Sequence, residues 1–177
     1  WKALAEEKGF LVAAPELRSS QGILPHADRA GWYRDLESDE RTILAVLDDV
    51  RGRYRIDADP NAVLLTGFSA GGFAMYHTGL RNPGRFGLLV ARACNGDVGM
   101  LRDLVPVTEP AGRMPILLYW GKDEPVISDQ SWKTFEYLRT HGYKRAKAQQ
   151  VAGGHLRRPE LAYRLWSTTC LPARHRQ

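Results

Sequence analysis

The feature of this sequence that most restricts its fold is an alternation of short apolar runs with longer amphipathic segments. The runs have the length of buried strands, and apolar residues in the segments between them recur at helical spacing. This alternation is typical of βαβ units, so we expect an α/β protein with a mostly parallel sheet and helices on both faces. The expected strands are residues 10–14, 62–66, 87–91, 115–120 and 147–151, and the expected helices are residues 1–8, 35–53, 71–81, 129–141 and 159–168.

The composition is that of an ordinary globular domain. The chain has 177 residues, of which 44% are apolar and 25% charged, and we expect one domain over residues 1–177. No apolar run reaches the ~18 residues that a membrane-spanning helix needs. The net charge of +5 comes from scattered arginines, which favours a solvated basic surface over a nucleic-acid site. Cys94 and Cys170 lie in no metal-binding spacing, and we expect two free thiols, with one disulfide as the alternative.

One short motif carries chemistry, and it lies between an expected strand and an expected helix. In Thr66-Gly-Phe-Ser69-Ala70-Gly-Gly72, a glycine stands two residues from the serine on each side. This spacing fits a sharp strand-to-helix turn, where larger side chains would collide with the neighbouring strand and helix. We expect Ser69 to be a nucleophile at the carboxyl end of the sheet, and the Ala70 amide to donate to a developing oxyanion.

A serine hydroxyl is a poor nucleophile unless a base accepts its proton. His155 follows the last expected strand and the pair Gly153-Gly154, which places it on a flexible loop at the rim that carries Ser69. We therefore expect His155 to be the base. The remaining histidines lie in a polar loop, inside a helix, at a helix end and in the C-terminal tail: His26, His77, His141 and His175.

The base needs a carboxylate that orients it. Asp123 follows strand 115–120, and the order Ser69, Asp123, His155 is the chain order of α/β-hydrolase triads. Glu124, which is adjacent, and Asp97, which follows the preceding strand, stay as alternative carboxylates.

Three aromatic residues are expected to wall the substrate site. Trp32 and Tyr33 lie in a long polar loop that we predict over residues 16–34, and Tyr119 lies near the end of a strand. Large aromatic side chains also pack in protein cores, which is the alternative interpretation of all three.

These segments resemble the polyhydroxybutyrate depolymerase and feruloyl esterase-like group of α/β-hydrolases. The resemblance rests on Leu47-Asp-Asp-Val50, Arg53-Tyr54, Ile56-Asp57 and the motif around Ser69, and it extends to the segments around Asp123 and His155. It implies a serine esterase that cleaves a small-molecule or polymeric carboxylic ester through an acyl-enzyme intermediate. It also implies no metal and no organic cofactor, and slightly favours a secreted or periplasmic location. The alternatives are a peptidase or acyltransferase on the same fold, or a catalytically inactive binding module.

The resemblance further implies that the chain covers strands 4 to 8 of the family fold, with residues 10–14 as strand 4. Strands 1 to 3, and the loop that supplies a second oxyanion amide, then have no counterpart in these residues. An unpaired strand leaves amides and carbonyls without partners, and losing one oxyanion donor costs ~10²–10³ in turnover. We therefore expect this piece alone to be unstable or weakly active, and a longer protein that contains it to be an active esterase.

The segment after the histidine departs from the family pattern. It reads Leu156-Arg157-Arg158-Pro159, where this group often has an aromatic residue followed by proline. The two arginines near the rim favour an anionic substrate, and a solvated pair of surface charges is the alternative.

Overall fold

A computed structural model describes residues 1–21 and 28–171, and its centre is a parallel sheet. Within these residues the sheet has four strands in the order β1-β2-β3-β4, and every neighbouring pair is parallel. The strands are β1 (Leu64–Ser69), β2 (Leu88–Cys94), β3 (Ile116–Gly121) and β4 (Ala146–Val151). Four of the expected strands are therefore confirmed, with their ends shifted by up to three residues.

Helices separate the strands, as the alternation predicts. They are α1 (Lys2–Lys8), α2 (Arg29–Arg53), α3 (Gly71–Arg81), α4 (Val98–Leu104), α5 (Glu109–Arg113), α6 (Pro125–Thr140) and α7 (Pro159–Thr169). The helix expected over 71–81 has the predicted bounds, and α1 ends at Gly9, whose φ of 69° is the left-handed conformation that glycine adopts easily. The sequence pattern did not indicate α4 or α5, which are too short to show a helical period.

Two sequence-based expectations about the first third of the chain are wrong. Residues 10–14 form no strand, since none of the described strands pairs with them, and Leu11 and Val12 remain about half exposed. The loop expected over 16–34 ends early, because α2 begins at Arg29, where the Asp28 carboxylate caps it by accepting from the Gly31 amide at 2.8 Å.

The two faces of the sheet have separate cores. One face packs against α3 and α6, and α3 is itself covered by α2, so every residue from Gly72 to Leu80 is buried. The other face packs mainly against α7, together with Trp1 and Phe10. The phenyl ring of Phe10 stacks on Tyr163 of α7 at a centroid distance of 5.3 Å. This arrangement confirms an α/β fold and leaves the carboxyl ends of all four strands on one rim.

Both cysteines are free, as expected: Cys94 is buried and Cys170 is half-buried. Burial raises the pKa of the Cys94 thiol to about 12, so this sulfur stays protonated beside the rim. In the part of the chain that the structure describes, no helix is long and apolar enough to cross a bilayer.

Candidate active site

Ser69 lies on a tight turn between β1 and α3. Its φ of 54° is in the left-handed region, which costs free energy for any residue other than glycine. The neighbouring strand β2 adapts to this turn, because Ala93 also has a positive φ and the register shifts so that Ser69 pairs with Cys94. The backbone amide of Asn95 then donates to the Ser69 carbonyl oxygen at 2.9 Å, which holds the strained turn in place.

The glycines around Ser69 show how closely the strand, the helix and β2 approach one another. A Cβ atom added to Gly67 would lie 2.6 Å from the carbonyl oxygen of Gly71. One added to Gly72 would meet the carbonyl oxygen of Asn95 and lie 2.5 Å from Cβ of Cys94, whereas one added to Gly71 would meet nothing within 4 Å. Packing therefore requires glycine at position 67, as expected. On the other side of Ser69, packing requires glycine at position 72 and not at position 71.

The loops that carry Asp123 and His155 run side by side. The Lys122 amide donates to the Val151 carbonyl at 3.0 Å, and the Asp123 amide donates to the Gly153 carbonyl at 3.2 Å. The approach is so close that a Cβ on Gly121 would collide with the carbonyl oxygens of Gly153 and Gly154. These contacts join the candidate acid and the candidate base at the ends of β3 and β4.

The histidine loop also reaches the serine turn. The imidazole of His155 lies against the phenyl ring of Phe68, the residue before Ser69, with ring centroids 4.6 Å apart and planes inclined by 37°. Ser69 is half-buried, while Asp123 and His155 are exposed. None of the hydrogen bonds among residues 1–21 and 28–171 joins the side chains of these three residues, so the structure brings their loops together without joining the three candidate side chains.

Asn95 is a polar residue of this site that the sequence analysis did not identify. Its side chain is only 6% exposed, and its Oδ1 atom accepts a long hydrogen bond of 3.5 Å from the Ser69 hydroxyl. Its Nδ2 atom donates to Oε1 of Gln130 on α6 at 2.9 Å. The signal in the sequence was its position, since Asn95 follows directly on the buried strand β2 at the rim of the sheet.

The two alternative carboxylates have different surroundings from Asp123. Asp97 caps α4 by accepting from the Met100 amide at 2.5 Å, and it forms an ion pair with Arg29 at 3.0 Å. Burial alone would raise the pKa of Asp97, but the hydrogen bonds from Arg29 and the Met100 amide lower it overall. Glu124 precedes α6 and makes no side-chain capping hydrogen bond. The lone pairs of Asp97 are thus already used by structural partners.

The three aromatic residues expected around the substrate have structural partners. The indole nitrogen of Trp32, a residue 4% exposed, donates to the Ser19 carbonyl at 3.1 Å. The Tyr33 hydroxyl accepts from Arg29 at 2.5 Å. Tyr119 is 2% exposed, and its hydroxyl donates to the Arg158 carbonyl at 2.7 Å, below the histidine loop. Their role as substrate contacts stays a prediction.

The remaining histidines lie away from Ser69 or outside the described residues. His77 is fully buried in α3, with its Nδ1 atom 3.6 Å from Oε2 of Glu40. Burial lowers the pKa of His77, although the charge of Glu40 acts in the opposite direction. His141 is exposed beyond α6, and His26 and His175 fall outside the residues that the structure describes.

The parallel sheet, the strand-to-helix serine turn and the rim loops after β3 and β4 are those of the α/β-hydrolase fold. Solved structures with this fold include Zea mays acyl-protein thioesterase 2, with a TM-score of 0.58 and 18% identity, covering 78% of this chain and 67% of that one. Arabidopsis thaliana SOBER1 has a TM-score of 0.59 and 18% identity, with coverage of 76% and 63%. Esterase PE8 has a TM-score of 0.60 and 22% identity, with coverage of 82% and 66%.

These likenesses establish the fold, and the chain spans about two thirds of the length of these three structures. No protein-family model matches the chain, and no curated protein matches it. The finer resemblance to polyhydroxybutyrate depolymerases and feruloyl esterases therefore stays a prediction.

Proposed function

We propose that this protein is a serine hydrolase that cleaves carboxylic esters through an acyl-enzyme intermediate, with Ser69, His155 and Asp123 as its catalytic residues. The observation that carries the proposal is the φ of 54° at Ser69, on a turn between a strand and a helix. Backbone strain at a non-glycine residue persists only where the surrounding structure enforces it, and such strain concentrates at functional sites. The α/β-hydrolase fold places its nucleophile on this type of turn.

In the proposed reaction, His155 accepts the proton of the Ser69 hydroxyl while Oγ attacks the ester carbonyl carbon. The carbonyl oxygen becomes an oxyanion, which the Ala70 amide at the start of α3 stabilises. His155 then donates the proton to the leaving alcohol as the carbon–oxygen bond breaks. Water, deprotonated by His155, then attacks the acyl-enzyme; the bond to Oγ breaks, His155 returns the proton to Oγ, and the acid is released. Asp123 orients the imidazole and stabilises its positive charge throughout.

The reaction requires His155 to approach Ser69 to hydrogen-bonding distance, and its side chain has the means to do so. The backbone before the histidine is held, because the Gly153 carbonyl accepts from the Asp123 amide at 3.2 Å, but the His155 side chain is exposed and has room to rotate. The segment after the histidine is also fixed, because Tyr119 holds the Arg158 carbonyl. Catalytic hydrogen bonds are often long without substrate and shorten when it binds.

Asn95 has a proposed role in this reaction as a positioning residue. Its oxygen accepts from the Ser69 hydroxyl, and its amide group is fixed by Gln130. This contact holds the Ser69 side chain in one position before His155 approaches, which reduces the entropy lost on reaching the reactive geometry. The single hydroxyl proton must turn from the Asn95 oxygen to His155 when the base accepts it.

A fluorophosphonate probe, which reacts with activated serines, tests the proposed nucleophile. We expect labelling that Ser69→Ala abolishes and that Ser128→Ala leaves intact, because the Ser128 hydroxyl is occupied as a hydrogen-bond acceptor from Trp120 at 2.9 Å. Intact labelling of Ser69→Ala would assign the activated nucleophile to another residue. No labelling of the natural protein would exclude a catalytic Ser69 and favour a binding module.

Matched variants test the base and the acid in the same assay. His155→Gln should abolish hydrolysis of p-nitrophenyl acetate, while His141→Gln, at an exposed histidine after the carboxyl end of α6, should not. Asp123→Asn should lower kcat by ~10⁴, as expected when the orienting carboxylate is lost. Glu124→Gln should change it little, and the reverse result would transfer the role of the acid to Glu124.

A further inference from the structure

Two guanidinium groups lie over the Phe68 ring, which the candidate base also contacts. The Cζ atom of Arg157 is 5.3 Å from the centroid of the Phe68 ring, and that of Arg92 is 5.8 Å from the same centroid. His155 contacts this ring too, at 4.6 Å. Since Phe68 directly precedes Ser69, two positive charges surround the ring that separates the nucleophile's strand from the histidine loop.

Arg92 is a buried charge whose partners are all neutral. It is 7% exposed, and its guanidinium donates to the Thr66 hydroxyl at 2.8 Å and to the Arg157 carbonyl at 3.1 Å, while Trp1 lies 5.3 Å away. Burial lowers the pKa of Arg92, and the charge of Arg157 adds to this effect. A buried cation is costly without an anion, because carbonyl and hydroxyl dipoles replace only part of its hydration.

Among the described residues, the arginines without a carboxylate partner are exposed or half-buried, with Arg92 as the buried exception. Six other arginines form ion pairs among the described residues: Arg29, Arg53, Arg81, Arg85, Arg102 and Arg113. Within the same residues neither Arg92 nor Arg157 contacts a carboxylate. The chain therefore has two adjacent cations at its rim whose compensating anion is not one of the described side chains.

The position of Arg157 is fixed while its charge remains available. Its carbonyl oxygen accepts from both Arg92 at 3.1 Å and Tyr119 at 3.3 Å, so the backbone is held from below. Its side chain is exposed and has the Phe68 ring as a neighbour. A guanidinium presented in this way binds a carboxylate with little loss of backbone freedom, and its planar fork suits two parallel hydrogen bonds.

We propose that Arg157, supported by Arg92, binds a carboxylate on the alcohol portion of the ester substrate. This inference rests on the proposed function. In that reaction His155 returns its proton to the leaving alcohol, so the alcohol must lie on the histidine side of the scissile bond. Phe68 and Arg157 are on that side. The substrate class is thus an ester of an alcohol or phenol that carries an acidic group.

Two acetate esters of the same shape test the inference: 4-carboxyphenyl acetate, which is anionic, and 4-carbamoylphenyl acetate, which is neutral. We expect the ratio of their kcat/KM values, anionic over neutral, to fall about tenfold in Arg157→Gln, the size expected for a hydrogen bond between charged groups. The neutral ester is the reference within each variant, so the ratio reports the contribution of the carboxylate alone. Arg164→Gln, at an exposed arginine of α7, is the control that removes one charge elsewhere.

The outcomes separate the two proposals. If Ser69 is labelled and both esters are hydrolysed, but Arg157→Gln leaves their ratio unchanged, the anionic subsite is excluded and the hydrolase stands. An equal fall in Arg164→Gln would assign the preference to overall charge and also exclude the subsite. If neither ester is hydrolysed and Ser69 is not labelled, both proposals fail. Because Arg157 is exposed, its variant does not depend on the folding of a buried site.

Discussion

Replacing Gly72 by alanine tests how the serine turn is held. The new Cβ atom would collide with the Asn95 carbonyl oxygen and with Cβ of Cys94, and neither belongs to a flexible side-chain end. Overpacking a buried site costs ~1–3 kcal/mol, and collision with backbone favours the upper value. At ~2–4 °C per kcal/mol for a chain of this size, we expect Tm to fall by about 6–12 °C.

Gly71→Ala is the matched control, one residue away in the same helix. Its Cβ atom would meet nothing within 4 Å, and alanine favours the helix by ~0.5–1 kcal/mol over glycine. Tm should therefore stay or rise by a few degrees, roughly 1–4 °C. Thermal unfolding followed by circular dichroism measures the Tm of both variants. Fluorophosphonate labelling below the lower Tm measures how reactive Ser69 remains in each.

The comparison has a clear refuting result. If Gly71→Ala destabilises the protein as much as Gly72→Ala, the close contact between α3 and β2 does not set the geometry of the turn. The requirement for glycine would then lie at positions 67 and 71, two residues from Ser69 on each side, and the contact at Gly72 would not explain it.

Three further outcomes are expected. Burial lowers the pKa of His77 in the folded protein below its unfolded value of ~6.5. The neutral imidazole therefore contributes its full stability above pH ~6.5, and this contribution is lost as the pH falls from there to the folded pKa. Between pH 7 and 5, Tm should decline less in His77→Leu than in the natural protein. Asn95→Ala should slow fluorophosphonate labelling about two- to tenfold while Gln130→Ala slows it less, and equal rates for Asn95→Ala and the natural protein would remove Asn95 from the site. Tyr119→Phe should cost ~1–3 kcal/mol and raise amide hydrogen exchange in the loop after His155, whereas unchanged exchange would show that the hydroxyl does not anchor it.

The elements of the sheet could be predicted from the sequence because each one has a local signal. The run Ala62–Thr66 is apolar and β-branched, and the segment 71–81 begins after a turn and ends before Asn82-Pro83, so β1 and α3 follow closely. The strained backbone at Ser69 was also predictable, since a serine flanked by glycines between a strand and a helix belongs to a sharp turn.

What could not be predicted depends on contacts between distant segments. Residues 10–14 have the composition of a strand, but a strand exists only with a hydrogen-bonded neighbour, and composition carries no information on whether one is present. Trp32 was expected in a loop, but its packing against Phe73 places it in α2, with ring centroids 5.0 Å apart. The same reason explains why Asn95, 26 positions from Ser69, was not identified.

The uneven cover of the sheet has a consequence for biosynthesis. The face that carries Leu88, Val90 and Tyr119 is closed mainly by α7, which comes after every strand in the chain. A nascent chain that has already paired these strands would therefore expose this apolar surface until α7 leaves the ribosome. Phe10 stacks on α7, so the segment around Phe10 also lacks its packing partner before then. We expect chaperone dependence during translation, and rapid aggregation of chains that terminate before Pro159.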